Sequence, residues 1–98
     1  MTNIGVVAKI VAKQGEAENL LVELRRMVAP TRKEPGCLKY VLHKSSVNPS
    51  EFWFVEEWTS KDALDKHTQT PHYRELKQRT PEYVASSEVI VLDPIADG

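Results

Sequence analysis

The sequence predicts an α+β fold, a ferredoxin-like β-α-β-β-α-β sandwich with one four-stranded antiparallel sheet. Three observations support it. Runs with strand-type alternation lie near both ends of the chain and twice in its middle. Segments with helical periodicity separate them. The chain has 98 residues without an internal repeat or a low-complexity linker, so we expect residues 1–98 to form a single domain.

The first strand is predicted over Ile4 to Ala12, where apolar residues alternate between two faces. Gly15 ends it. Apolar residues then recur at three- and four-residue steps, which predicts the first helix: Ala17, Leu20, Leu21, Leu24, Met27 and Val28. We expect Pro30 to kink or end this helix, because proline removes a backbone donor.

Two β-rich runs follow a helix stop. Pro35 disfavours helix at the residue before it, and Gly36 can adopt positive φ. The runs Cys37–Lys44 and Phe52–Trp58 are predicted to be strands. The seven residues between them are too many for a tight two-residue turn.

The second half of the chain contains two capping signals. Ser60 is a suitable N-cap for a helix from Lys61 to about Gln69. Thr70 followed by proline repeats the pattern, which predicts a second helical piece that ends near Pro81. The β-branched run Glu88–Leu92 predicts the last strand.

Three of the four predicted strands carry apolar residues on both faces, namely the first, third and last. The two helical segments can cover only one face of the sheet. A large apolar patch exposed to water is rare in monomers. We therefore expect a homodimer whose protomers pack sheet to sheet.

Composition excludes several partners. Thirteen basic and fourteen acidic residues give a net charge of −1, without a basic run to follow a phosphate backbone, so no nucleic-acid partner is expected. No apolar run approaches the ~20 residues of a membrane span, and the first residues, MTNIGVVAKIVAK, lack the charged and then purely apolar pattern of a signal peptide. We expect no membrane association and a cytoplasmic location. Cys37 is alone and cannot form an internal disulfide.

The candidate site lies around the segment "HTQTPHY". His67 falls on the helical stripe of Ala63 and Leu64, so it should point at the sheet. Glu56 and Trp58 share one face of their strand by alternation. If that face is the inner one, the three side chains converge on one pocket.

Other side chains would complete this pocket. Phe54 continues the face of Glu56, while Tyr73 and His72 enter from the second helical piece. A small apolar cavity with a few polar groups is the usual form of a small-molecule site. A structural alternative remains open, in which Glu56 simply satisfies a buried His67. A metal site is not expected, because the two histidines lie five residues apart across a proline.

The motif set resembles the antibiotic biosynthesis monooxygenase family over essentially the whole chain. The resemblance rests on "EPGC" at residues 34–37, on Glu56-x-Trp58, on Ala63-x-x-x-His67 and on "PHY" at residues 71–73. It implies a dimeric α/β barrel of two ferredoxin-like units. It also implies oxidation of quinol-type aromatics with neither flavin nor metal.

From the resemblance and these residues we expect a cofactor-independent monooxygenase that uses O₂ on a small electron-rich phenol or quinol. His67 would be the catalytic base, oriented by Glu56, and Tyr73 would donate to the developing oxyanion. Trp58 would stack on the substrate ring, and His72 and Phe54 would line the site.

Two other functions stay open. An isomerase of a small phosphorylated hydroxy-ketone would need a cationic anchor such as Lys9, Lys13 or Arg74. A non-catalytic dimeric binding module is the second. The haem-degrading branch of the family resembles this chain less. That branch has an asparagine in the first strand, where this chain has Ala8 or Lys9. It also has a tryptophan near the position of His67 and a histidine near the position of Lys77, and this chain has neither.

Overall fold

The computed structural model describes residues 3–98 and has the predicted order of elements. In chain order these are β1 (Ile4–Ala12), α1 (Ala17–Arg32), β2 (Cys37–Lys44), β3 (Glu51–Trp58), α2 (Lys61–His67), α3 (Pro71–Arg79) and β4 (Val84–Leu92). The strands form one antiparallel sheet in the order β2-β3-β1-β4. The ferredoxin-like α+β fold is confirmed.

Side-chain caps begin both short helices as the sequence predicts. The hydroxyl of Ser60 accepts a hydrogen bond from the backbone N–H of Ala63 at 3.1 Å. The hydroxyl of Thr70 accepts one from the N–H of Tyr73 at 3.3 Å. Each bond satisfies one of the N–H groups that have no partner within the helix. The two caps therefore divide this segment into two helices instead of one continuous helix. His67 lies on the first and Tyr73 on the second.

The core lies between one face of the sheet and the helices. On β3 the residues that face inward are Phe52, Phe54, Glu56 and Trp58, and all four are buried. The helices contribute buried side chains to the same cluster, among them Leu20, Leu24, Met27 and Leu64. Glu56 and Trp58 thus take the inner face, the condition on which the predicted pocket depended.

The opposite face of the sheet carries no helix within residues 3–98 and is only half-buried at its centre. Its central side chains include Val7, Val11, Trp53 and Val55. The edge strand β4 has large apolar side chains exposed on both of its faces: Val89, Ile90, Val91 and Leu92. The single chain therefore leaves much of the apolar surface of the sheet uncovered.

The helix α1 runs past Pro30 to Arg32, so of the kink or end predicted at the proline, the end is wrong. Proline removes only one hydrogen bond this close to a helix end. The turn closes with bonds from the N–H of Lys33 to the carbonyl of Pro30 and from that of Glu34 to the carbonyl of Thr31. These bonds lead the chain directly into the turn before β2.

Other boundaries also differ. The last strand begins at Val84 rather than Glu88. Its backbone pairing with β1 continues, after a register shift, as far as Ala12. Backbone pairing does not depend on whether the exposed side chains are polar, so the β-branched run alone marked too short a strand. In the same way β3 begins one residue earlier, at Glu51. The helix α2 ends at His67, where tighter backbone bonds such as Thr70 N–H to His67 carbonyl at 3.2 Å replace the helical pattern.

Candidate active site

His67 is a buried imidazole in the last turn of α2. Only 3% of the residue is exposed, and it points at the sheet beside Leu64 as its helical position predicts. Three aromatic rings surround it, with centroids at 4.9 Å for Trp58, 5.1 Å for Tyr73 and 5.7 Å for Tyr40. The imidazole is therefore held in one orientation on three sides.

The partner of His67 is Glu34, so the predicted pair with Glu56 is wrong. Oxygen Oε2 of Glu34 lies 2.8 Å from Nδ1 of His67 and 2.6 Å from Nε2 of His72. The Glu34 side chain is 9% exposed. Glu56 instead bonds to an indole two residues along its own strand. One buried carboxylate oxygen thus joins both histidines of the "HTQTPHY" segment.

This geometry fixes the tautomers of both rings. A carboxylate can only accept hydrogen bonds, so each nitrogen that faces Glu34 must carry a proton. His67 therefore donates from Nδ1 and His72 from Nε2. In the neutral His67 ring the lone pair is then on Nε2, a nitrogen that bonds to no residue from 3 to 98.

A glycine turn brings Glu34 to this place. Gly36 has φ of +87°, and a Cβ atom there would lie 2.6 Å from Cβ of Ala63 and 2.7 Å from Oγ1 of Thr59. The N–H of Thr59 also bonds to the carbonyl of Gly36 at 2.9 Å. The turn is thus seated against the end of β3 and the start of α2. Only glycine fits both the backbone and the contact.

Glu56 is the second buried ionisable group of the site. The indole N–H of Trp58 donates to Oε1 of Glu56 at 2.9 Å. Burial raises the pKa of Glu56 to about 7, the bond from Trp58 opposes the shift, and the charge of Glu34 adds to it. At neutral pH a large share of Glu56 is therefore a neutral carboxylic acid.

The pKa of His67 is shifted the other way. Burial lowers it below the usual histidine value, although the hydrogen bond and charge of Glu34 raise it in part, and His72 lowers it slightly. A lowered pKa keeps the imidazole neutral at pH 7. His67 is therefore available as a base.

A cavity of about 80 Å³ lies between the sheet and the helices. Four predicted site residues line it: Phe54, Glu56, His67 and Tyr73. Its other walls are mostly apolar, with Val6, Ala8, Ile10, Met27, Leu64 and Leu76. Lys77, whose ammonium lies 5.5 Å from the ring centre of Tyr73, is among its polar residues. The arrangement is that of a small-molecule pocket.

Two predicted residues do not line this cavity. Trp58 is completely buried against His67, so its indole offers no face to a ligand. His72 instead lines a smaller pocket of about 40 Å³ between α1 and α3. None of the cationic anchors considered for a phosphate presents its charge to the cavity: Lys13 and Arg74 do not line it, and the ammonium of Lys9 lies 5.8 Å from the ring centre of Trp53 on the open face of the sheet.

Tyr40 and Glu34 were missed as site residues. Tyr40 pairs with Glu56 across β2 and β3 and lines the cavity, with its ring stacked on Phe54 at 4.5 Å. Burial raises the pKa of Tyr40, with a further contribution from the charge of Glu56. Glu34 stands in the "EPGC" motif, and that acidic residue before a glycine turn was the one available signal.

Glu34, His67 and His72 also have the chemistry of metal ligands, with their donor atoms within 4.8 Å of one another. Two ligands that share a tetrahedral zinc ion at about 2.0–2.2 Å lie roughly 3.3 Å apart. The observed nitrogen-to-oxygen separations of 2.6 and 2.8 Å are those of direct hydrogen bonds. In this structure hydrogen bonds join the three side chains. In the part of the chain described, no helix is both long and apolar enough to cross a membrane.

Fold and cavity together define a ferredoxin-like protein with a candidate small-molecule site beneath its helices. A family model described as antibiotic biosynthesis monooxygenase matches residues 3–79. The chain belongs to this family, as its motifs predict.

Two relatives whose names contain the word monooxygenase match more than nine-tenths of this chain. "Putative monooxygenase Rv0793" of Mycobacterium tuberculosis is 31% identical over 93 residues, covering 94% of this chain and 91% of the relative. Its solved structure matches with a TM-score of 0.90 and 30% identity over 96% of both chains. "Probable quinol monooxygenase YgiN" of Escherichia coli is 25% identical over 99 residues, covering 91% of this chain and 95% of the relative.

A further relative is longer than this chain. "Uncharacterized protein sll1783" of Synechocystis is 31% identical over 94 residues, which cover 96% of this chain. The chain spans only 64% of that protein's length.

Proposed function

We propose that the protein is a monooxygenase that oxidises a small electron-rich phenol or quinol with O₂. One observation carries the proposal: a buried, neutral imidazole, fixed at Nδ1 by Glu34, lines a small and mostly apolar cavity. The family and a relative named as a quinol monooxygenase support the class of reaction.

In the proposed reaction His67 is the base. A phenol becomes reactive toward O₂ when it loses its proton. Removing a proton from a group of pKa ~10 at pH 7 costs about 4 kcal/mol. Nε2 of His67 would take that proton, and Glu34 would stabilise the imidazolium that forms. This step requires no group beyond the side chains of the site.

Two further residues have proposed roles at the substrate. Tyr73 donates to the developing oxyanion, and Phe54 forms part of the apolar wall against the ring. Trp58 acts from behind the site, because it packs on His67 and holds Glu56. His72 holds Glu34 in the same indirect way.

The overall reaction balances without another reductant. A hydroquinone and O₂ give a hydroxyquinone and water. The ring supplies all four electrons that reduce O₂, one oxygen atom enters the product, and the other leaves as water. The base thus returns its proton within the cycle.

We also propose that the active form is a homodimer. The open face of the sheet carries apolar side chains, among them Val7, Val11, Trp53 and Val55. A partner surface of matching shape and polarity would bury them. A second copy provides one. On β4 the exposed Ile90 and Leu92 lie on this same face and continue the surface to the sheet edge.

Oxygen uptake tests the function. The purified protein is given a panel of one- and two-ring quinols, and uptake is compared with the uncatalysed rate at the same pH. With ¹⁸O₂, we expect one labelled oxygen atom in each product molecule. Proton exchange into a ketose phosphate without oxygen uptake would support the isomerase instead. Binding of a quinol without turnover would support a non-catalytic module.

A further inference from the structure

Glu56 has one carboxylate oxygen that bonds to no described residue. Trp58 occupies Oε1 at 2.9 Å, and Oε2 is without a hydrogen bond. Among residues 3–98 the only completely buried side-chain nitrogen or oxygen without a partner is Oγ1 of Thr31. Oε2 of Glu56 therefore keeps some access to its surroundings. Since Glu56 lines the cavity, that access is to the cavity.

We propose that Glu56 is the general acid of the reaction and gives its proton to the oxygen atom that leaves as water. This inference rests on the proposed function. His67 and Glu56 line the same cavity, and each is held at one polar atom by a partner outside the cavity wall, Glu34 or Trp58. Each therefore presents its other polar atom to a bound molecule.

The proton transfers balance over the cycle. His67 takes the phenol proton, O₂ adds to the ring, and the proton passes to the peroxide oxygen. His67 then removes the hydrogen on the carbon that carries the –OOH group. The C–H electron pair forms the C=O bond, the O–O bond breaks, and the departing hydroxide takes the proton of Glu56. Transfer from the imidazolium of His67 back to Glu56 restores both groups.

The opposite pKa shifts of the two groups fit these roles. Burial makes Glu56 a weaker acid and His67 a weaker base than usual, so the protonated carboxyl and the neutral imidazole coexist near pH 7. The other titratable groups near Glu56 lie in the turn before β2, in β2 itself and around the cavity: Glu34, Cys37, Tyr40, Tyr73 and Lys77. Lys9 and Glu88 pair with each other across β1 and β4 on the open face of the sheet, the face opposite Glu56.

The variant Glu56→Gln tests the proposal, because glutamine can still accept from Trp58 but cannot supply an acid proton. The chain contains a matched control. On the other face of β3, Glu51 accepts from the indole of Trp53 at 2.8 Å, also two residues along the strand, and it does not line the cavity. Glu51→Gln should keep the wild-type rate.

We expect Glu56→Gln to lower quinol turnover about 10²-fold. Much of the O₂ that it still consumes should be released as H₂O₂, since an unprotonated O–O bond breaks slowly and the peroxide can leave. Wild-type turnover should fall as pH rises through about 7, and the variant should lack this decline. Retention of the wild-type rate without H₂O₂ by Glu56→Gln would overturn the assignment.

The pH profile of the wild-type protein also tests the acid role of Glu56, without any variant. If Glu56→Gln does not fold, turnover that stays level or rises from pH 6 to pH 9 overturns the acid role. A wild-type protein that consumes no oxygen with any quinol overturns the proposed function itself, and the acid role with it. That result is distinct from an active wild type with an equally active variant.

Discussion

Glu34 and His67 are 33 residues apart in the chain, yet Oε2 of one lies 2.8 Å from Nδ1 of the other. The pair joins the glycine turn before β2 to the end of α2. It also decides which nitrogen of His67 faces the cavity with a lone pair. The proposed base is therefore prepared by a residue that does not line the cavity.

Replacing Glu34 by glutamine should lower turnover about 10²-fold, because the amide no longer requires a proton on Nδ1 of His67. The loss of the negative charge should also lower the pKa of His67 further. Turnover and the ¹⁵N chemical shifts of the ring, which report the tautomer, are the measurements. Glu23→Gln is the control, since Glu23 is also a partly buried carboxylate but pairs with Arg26 and Arg79. An unchanged tautomer with full activity in Glu34→Gln would contradict this role.

The turn that carries Glu34 should depend on the absence of a side chain at Gly36. In Gly36→Ala, positive φ at a residue with a side chain costs about 1 kcal/mol, and the close contacts of the new Cβ with Ala63 and Thr59 add to that cost. We expect the free energy of unfolding to fall by roughly 2–4 kcal/mol in total. Gly15→Ala is the matched control, because Gly15 has φ of +80° but nothing within 4 Å of the added carbon. Urea unfolding measures both. Equal losses in the two variants would mean that the contacts at Gly36 are unimportant.

Glu56 should make the protein less stable at alkaline pH. Its folded-state pKa of about 7 lies above the ordinary value of 4.5, so the folded state holds the proton more tightly. The stability that Glu56 contributes in this way is complete below pH 4.5. As pH rises through 7 it is lost, and the free energy of unfolding falls by on the order of 3 kcal/mol. Relative to wild type, Glu56→Gln should therefore gain stability from about pH 5 to about pH 8.5.

Urea unfolding of both proteins at one concentration provides the test. The lowered pKa of His67 acts in the opposite direction, since its stabilising contribution is lost as pH falls below 6.5, but it largely cancels in the difference between the two proteins. A difference that does not change with pH would show that Glu56 is not a shifted acid.

The proposed dimer predicts a sedimentation mass near twice 11.1 kDa at micromolar concentration. Substituting Val55 by lysine on the open face of β3 should place a charge in the interface and shift the protein toward monomer. Lysine at the exposed Val47, in the loop between β2 and β3, is the control. A wild type that sediments as a monomer would remove the basis for the interface.

The periodicity of the sequence was sufficient to predict the fold and the direction of His67. Helical spacing placed His67 with Ala63 and Leu64, and alternation placed Phe54 and Glu56 on one face. Which face that was could not be known, because both faces of β3 are apolar. The structure decides it by burying Glu56 and leaving Glu57 exposed.

The partners within the site depend on tertiary contacts that no local pattern contains. Glu34 reaches His67 only because Gly36 seats its turn against Ala63. Tyr40 lies beside Glu56 through the register of β2 and β3, which residue spacing does not specify. Trp58 shares the face of Glu56 yet is fully covered, since it lies at the end of the strand under α2.

Quinol-dependent oxygen uptake by His67→Phe, measured together with melting on one preparation, tests whether His67 is the base. Phenylalanine fills the space among the surrounding rings but cannot take a proton. We expect a folded dimer with quinol turnover lowered about 10²-fold or more. A folded His67→Phe protein with full activity would contradict the assignment of His67 as the base.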